Sequence, residues 1–90
     1  MTPKEIERIS KALGDPNRLK ILEEIKKNCS LQCSNITGML NLAQPSISHH
    51  VKQLVDAGLI IPCKDGRNMS YTIDKEHFAK YLQHLGLYVI

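Results

Sequence analysis

Three cysteines carry the most reactive side chains of this 90-residue sequence. Cys29 and Cys33 stand four residues apart, and Cys63 follows thirty residues later. Three thiolates suit a soft ion such as As(III), whereas exposed thiols of low pKa are open to oxidation. Cysteine is also a common small buried residue with no reactive role. The odd number of cysteines argues against a structural disulfide framework, so metalloid binding, thiol oxidation and simple packing all stay open.

A second candidate site lies in AQPSISHHVKQLVDAGLI, residues 43–60. At a helical spacing of about 100° per residue, its apolar side chains fall on one side. The opposite side has no acidic residue before Asp56, and its side chains can donate to phosphates or read base edges. This polar face contains Gln44, Pro45, Ser46, Ser48, His49, Lys52 and Gln53. The alternative is a neutral, solvated helix face. His50 leans toward the core, and we interpret it as structural.

Local signals predict the elements that position these residues. Thr2 and Glu5 form a capping box for a first helix, and Asp15 caps a second. A short third helix has Ser34 as a candidate cap, and Asn41 in the left-handed conformation is expected to end it. The segment from residue 43 is the fourth helix.

After the fourth helix, the spacing of apolar residues changes to the alternation of a β-hairpin, with Asp65-Gly66 as its two-residue turn. Pro62 confines its strand to a sheet edge, and Asp74 caps a last helix. The predicted fold is mainly α with a β-hairpin wing, in the order α-α-α-α-β-β-α, as one domain over residues 1–90. This order describes a winged helix-turn-helix.

In such a motif the second helix of the helix-turn-helix enters the major groove, which accounts for the polar face. Lys64 and Arg67 flank the hairpin tip, where basic residues contact the DNA backbone or the minor groove. Alternatively, they only keep the tip soluble. A net charge of +3 is compatible with nucleic acid as a partner. No apolar run approaches the ~20 residues of a membrane span. No signal-peptide layout is present, so we expect a cytoplasmic protein that does not contact membranes.

The last helix carries an apolar seam that a monomer would expose. A chain this short buries only about 60–65% of its unfolded surface, so pairing with a second copy would add needed burial. We therefore predict a two-fold homodimer that pairs the first and last helices. The predicted interface consists of Ile6, Ile9, Phe78, Tyr81, Leu82, Leu85, Tyr88 and Val89.

Three segments together resemble the ArsR/SmtB family of bacterial repressors. They are ALGDPNRLKILEEI, NITGMLNLAQPSISHHVKQLVDAGLI and KDGRNMSYTI, and the likeness extends over roughly residues 9–73. The resemblance implies a dimer joined through its first and last helices that represses promoters by binding operator DNA. It also implies release by an inducer, often a metal ion, a metalloid or an oxidising sulfur species.

The residues at the family's inducer sites depart from its patterns. The Cys-x-Cys-Asp pattern of the metalloid and soft-metal sensors falls on residues 32–35, where only Cys33 is a thiol. Cys29 and Cys63, or the partner chain, would have to complete a soft-ion site. The zinc and nickel sensors use Asp and His ligands on the last helix, and Asp74, His77 and His84 are the candidates here. Their spacing differs from the family pattern, so zinc is less expected than a soft ion.

Other function classes are less consistent with the sequence. A winged helix that binds protein would favour an acid-rich recognition helix, and a zinc ribbon needs two close Cys/His pairs. No glycine-rich phosphate loop or catalytic motif is present, and so small a helical domain has little room for a pocket, so we do not expect an enzyme. A winged-helix regulator that senses neither metal nor thiol chemistry is the remaining alternative.

Overall fold

The computed structural model covers residues 1–90 and consists of five α-helices and a three-stranded antiparallel sheet. The helices are α1 (Pro3–Leu13), α2 (Pro16–Asn28), α3 (Cys33–Met39), α4 (Gln44–Asp56) and α5 (Lys75–Gly86). The strands are β1 (Leu31–Gln32), β2 (Ile60–Asp65) and β3 (Asn68–Ile73). A single 3-10 turn, Leu87–Val89, follows α5. No helix combines the length and apolarity that crossing a membrane requires.

Three helix starts agree with their predicted caps. Thr2 and Glu5 form the capping box of α1. The Asp15 carboxylate accepts hydrogen bonds from the backbone N–H groups of Asn17 (2.8 Å) and Arg18 (3.3 Å). Asp74 accepts from the His77 N–H at 3.0 Å. Each cap satisfies N–H groups that have no partner within the helix, which fixes where the helix begins.

The predicted boundaries of α3 are wrong at both ends. The helix starts directly after β1, with Gln32 as its N-cap, so Ser34 lies inside it. At its end, Leu40 is extended (φ −100°, ψ 129°) and only 4% exposed, because its side chain joins the core. Asn41 is not left-handed. Among residues other than glycine, only Cys29 has a positive φ (64°), and it ends α2 instead.

The sheet order β1-β3-β2 places β2 at an edge, as Pro62 predicted. Short β1 pairs Leu31 with Tyr71. In the hairpin Asp65 pairs with Asn68, so the two turn residues are Gly66 and Arg67, one position later than predicted. Gly66 has φ 62°, which suits the first central position of a type II′ turn.

The core lies where α1, α2, α4 and the sheet meet, and every buried residue in it is apolar. Its fully buried large side chains are Ile9, Ile21, Ile25, Ile36, Ile47, Leu54 and Leu59. This core holds α4 by its apolar stripe and leaves the opposite side of α4 to solvent.

Candidate nucleic-acid interface

Helix α4 has one buried and one exposed face. Ile47, Val51 and Leu54 are at most 7% exposed and fix the helix to the core. Most of the predicted polar face is exposed: Gln44, Pro45, Ser46, Ser48, His49 and Lys52. Gln53 is half-buried, because it lies at the edge between the two faces. The structure therefore brings six of the seven predicted α4 residues to one accessible surface.

The electrostatics of this face favour an anionic partner. The first turn of α4 has no acidic residue, and its N-cap, Ala43, has no side chain able to occupy the free N–H groups. The positive end of the helix dipole is thus open to a phosphate. Lys52 pairs with Asp56 at 3.2 Å, with both side chains at least half exposed. An exposed pair of this spacing stabilises a helix by only about 0.3–0.5 kcal/mol, so Lys52 can exchange Asp56 for a phosphate.

The β2–β3 hairpin forms a wing beside α4. Lys64 and Arg67 are both exposed, and Arg67 is one of the two turn residues at the tip. The close pairing of β2 with β3 holds these basic side chains at the end of a regular ribbon. A basic hairpin next to a helix whose free N-terminal N–H groups can bind a phosphate provides two separate contacts for DNA.

Arg18 connects α4 to the two N-terminal helices, a role that the sequence did not reveal. Its guanidinium donates to the carbonyl oxygens of Ala12 (2.7 Å) and Lys11 (3.0 Å), at the end of α1. It also lies 3.2 Å from Nδ1 of His50 on α4, and Asp15 lies 4.0 Å from the same nitrogen. His50 is half-buried, in agreement with a structural role. This network fixes the orientation of α4 relative to α1 and α2.

Comparisons with known proteins agree with this geometry. A family model described as winged helix-turn-helix DNA-binding matches residues 14–61. The chain is 34% identical over 88 residues to an arsenical resistance operon repressor of Staphylococcus xylosus, covering 97% of this chain and 83% of the relative. A repressor of the same name from Staphylococcus aureus is 33% identical over the same coverage. The chain belongs to the ArsR family of winged helix-turn-helix DNA-binding regulators.

A solved structure gives the same result. An ArsR family transcriptional regulator superposes with a TM-score of 0.85 at 29% identity, covering 96% of this chain and 88% of the other. The predicted winged helix-turn-helix and its family are thereby confirmed. The chain is a DNA-binding transcriptional regulator and not an enzyme.

The three thiols of this ArsR-family chain do not come together. Cys29 is exposed at the end of α2, beside Lys26 and Lys75. Cys33 is half-buried at the start of α3, in a cleft under α4. Cys63 pairs with Ser70 on β3. It thus lies on the sheet face opposite to that of its neighbour Pro62, which lines the Cys33 cleft. A three-thiolate site within one chain is therefore not formed.

The predicted histidine site is not assembled either. The Asp74 carboxylate caps α5, and the His77 ring packs against Gly58. His84 lies one turn before Tyr88, with ring centroids 6.2 Å apart. No group of three His, Cys, Asp or Glu side chains in the chain is arranged to hold a metal ion. The structure accounts for Asp74 and His77 through capping and packing.

The predicted dimer residues divide into two sets. Ile9 is fully buried in the chain's own core, so its assignment to an interface is wrong. Tyr81 is 8% exposed, and its hydroxyl bonds Ser10 Oγ at 2.8 Å; Ile6 and Phe78 pack against the core. The remaining apolar side chains of the predicted interface are exposed: Leu82, Leu85, Tyr88 and Val89. The free apolar surface is thus the outer side of α5 and the turn after it.

Proposed function

We propose that this regulator is a bacterial cytoplasmic repressor that binds double-stranded operator DNA as a two-fold dimer. In each chain α4 enters the major groove, and the wing contacts the backbone or the minor groove. The observation that carries the proposal is the exposed face of α4, which is polar, free of acidic residues until Asp56, and open at its N-terminus. In winged helix-turn-helix proteins this surface meets base edges.

Two kinds of substitution test the placement on DNA. Lys52→Ala and Arg67→Ala each remove a cation and should weaken binding to every sequence while flattening the salt dependence, by about one unit of slope per phosphate contact. Ser46→Ala and His49→Ala should cost about 1–3 kcal/mol on the preferred operator and change which operators are preferred. Gel shifts over a salt series, on DNA upstream of the gene and on scrambled DNA, measure both effects.

The matched control is Lys80→Ala, which removes an exposed lysine of α5, outside the proposed DNA face. Its DNA affinity should fall with increasing salt at the same slope as that of the parent. If the four interface variants also behaved like the parent, α4 and the wing would not be the DNA-binding surface.

We also propose that a soft, thiol-reactive inducer releases the repressor. The relatives' names describe repressors of arsenical resistance operons. Cys33 supports the proposal by its position, since it opens α3, the helix that packs directly against α4. Two recognition helices must lie about 34 Å apart to enter successive major grooves, so a small rotation of α3 and α4 disrupts binding. About 3 kcal/mol of coupling would relieve repression over a hundredfold.

The double variant Cys29→Ser/Cys33→Ser tests this mechanism. It should bind the operator like the parent but should no longer be released by arsenite, soft metal ions or a persulfide. Cys63→Ser is the comparison variant, since Cys63 lies on the other sheet face. Normal release of the double variant by one of these agents would refute the thiol mechanism for that agent. If none of them released even the parent, arsenite, soft metal ions and persulfides would be excluded as its inducers.

A further inference from the structure

A cleft of about 280 Å³ opens between α4 and the sheet. Most of its walls are apolar: Ile47, Val51, Val55, Pro62 and Tyr71. Cys33 contributes the one thiol, and Gln44, Ser48 and Lys52 stand at the α4 side. The cleft therefore combines an apolar lining, a nucleophile and part of the surface proposed to contact DNA.

Tyr71 supplies a hydroxyl to this cleft that makes no hydrogen bond within the chain. It is only 8% exposed, yet its hydroxyl has no hydrogen-bond partner in the chain. No fully buried polar side-chain atom is left unpaired, so this hydroxyl reaches accessible space, and the cleft is the space that Tyr71 lines. Because the hydroxyl is accessible and engages no other group of the chain, it is free to donate to a ligand with an acceptor oxygen that enters the cleft.

Cys33 and Tyr71 are close enough to interact. Burial raises the pKa of the Tyr71 hydroxyl, and the nearby charge of a Cys33 thiolate raises it further. Tyr71 therefore stays protonated and remains a hydrogen-bond donor while Cys33 reacts as a thiolate. Cys29 and Cys63 are exposed and lie outside this cleft.

We propose that the cleft binds small α,β-unsaturated aldehydes and ketones, which Cys33 attacks while Tyr71 donates a hydrogen bond to the carbonyl oxygen. The apolar walls suit the carbon chain of such a compound. A metal ion fits less well, because a single thiol and a phenol offer too few soft ligands in an apolar setting. The proposed addition at Cys33 does not depend on DNA binding, whereas its effect on operator affinity rests on the proposed repressor function.

The reaction is an addition that needs no oxidant. The Cys33 sulfur forms a bond to the β-carbon, and the electron pair of the C=C bond moves toward the carbonyl to give an enolate. The Tyr71 hydroxyl stabilises the developing negative charge on oxygen. Water then delivers a proton to the α-carbon, which balances the proton that the thiol lost. The product is a thioether that fills the cleft.

Such an adduct would affect DNA binding through the α4 residues that line the cleft. Gln44, Ser48 and Lys52 line the cleft and also belong to the exposed face of α4. A thioether beneath them would displace their side chains or shift α4 away from β2. Either change weakens contact with the operator.

Labelling kinetics test the site without DNA. The parent protein is treated with crotonaldehyde, and peptide mass spectrometry follows the adduct at each cysteine. Cys33 should react fastest. Tyr71→Phe keeps the ring and removes only the hydroxyl. It should slow crotonaldehyde addition at Cys33 roughly tenfold, less than the ~100-fold of a donor in a water-excluded oxyanion site. Alkylation of Cys33 by iodoacetamide, which forms no enolate, should keep its rate.

Three results would overturn the proposal. They are equal addition rates at the three cysteines, an unchanged crotonaldehyde rate in Tyr71→Phe, and a parallel fall of both rates in that variant. The last would mean that Tyr71 acts through packing alone and not through its hydroxyl.

Gel shifts on the DNA upstream of the gene then test the consequence. Crotonaldehyde should weaken binding by the parent and by Cys63→Ser about tenfold, within the usual range of coupling between sites. Cys33→Ser should stay bound. If the untreated parent did not bind DNA while Cys33 was still labelled selectively, the proposed repressor function would fail and the cleft chemistry would stand. Binding to DNA without selective labelling would refute only the cleft inference.

Discussion

His77 packs its imidazole ring against the backbone of Gly58, at the turn from α4 into β2. A Cβ atom on Gly58 would lie 2.8 Å from the ring, and Gly58 has a φ of +75°. Both facts require glycine at position 58. A residue with a side chain is strained in the left-handed conformation, and a Cβ at this position would also displace the His77 ring. A histidine that sequence spacing offered as a metal ligand therefore contributes to packing at the end of the recognition helix.

Gly58→Ala should destabilise the protein by about 1–3 kcal/mol, since the left-handed conformation alone costs about 1–2 kcal/mol for a residue with a Cβ. The control is Gly38→Ala within α3, where a Cβ would meet nothing within 4 Å. That variant should gain up to about 1 kcal/mol, because alanine favours a helix interior over glycine. Urea unfolding measures both, and equal effects of the two substitutions would contradict this account of Gly58.

At the scale of elements, the sequence predicted what depends on neighbouring residues. The caps at Thr2, Asp15 and Asp74 bond only to residues two or three positions away, so their residue types were sufficient. The start of α3 and the register of the hairpin turn were missed. The start of α3 depends on β1 pairing with β3, which joins Leu31 to Tyr71 across forty residues, and no local pattern contains that pairing. The turn register is set by the pairing of β2 with β3 along the whole ribbon, from Ile60 with Ile73 to Asp65 with Asn68.

The same distinction explains which parts of the candidate site were predictable. The exposed face of α4 follows from helical periodicity, and it was predicted except for half-buried Gln53. The separation of Cys63 from the Cys33 cleft depends on which sheet face β2 presents there, and the bond between Arg18 and His50 spans thirty-two residues. These arrangements appear only when the elements are packed together.

Asp15 gives the start of α2 a measurable pH dependence. Partial burial opposes its charge. The Arg18 and Asn17 N–H groups, with the charges of His50 and Arg18, outweigh this and hold the Asp15 pKa below its ordinary 3.8. The charged cap therefore stabilises the fold above pH 3.8, and that contribution is lost as pH falls through the lowered pKa. Asp15→Asn, which still caps but takes up no proton, should lose less stability on acidification than the parent.

Melting temperatures of parent and variant over an acid series measure the difference. Asp15→Ala is the comparison variant, because it removes the cap altogether and should cost about 0.5–2 kcal/mol even at neutral pH. If the melting temperatures of the parent and Asp15→Asn fell in parallel with pH, the charge of the Asp15 carboxylate would not contribute to stability.

At the scale of the whole molecule, one end of the chain is more apolar than a free surface usually is. Leu82 is 64% exposed on α5, and Tyr88, Val89 and Ile90 are 78%, 87% and 99% exposed after it. They form consecutive apolar surface at one end of the chain. Such a patch marks an interaction site, and a second copy of the same helix offers a matching apolar surface through two-fold symmetry. A dimer would also bring two copies of α4 to one DNA duplex.

We predict that Leu82→Glu converts a dimer into a monomer, because each chain would bury a carboxylate without a partner in the apolar interface. The substitution lies on an exposed side chain, so the chain's own core, to which Ile9 and Tyr81 belong, should keep its fold. Sedimentation velocity at micromolar concentration measures the change in mass. Operator affinity should fall with it, because a single chain contacts only one half-site. Lys80→Glu introduces the same side chain at an exposed, non-apolar position of α5 and should remain dimeric. A monomeric parent under these conditions would refute the dimer and, with it, the two-fold mode of operator binding.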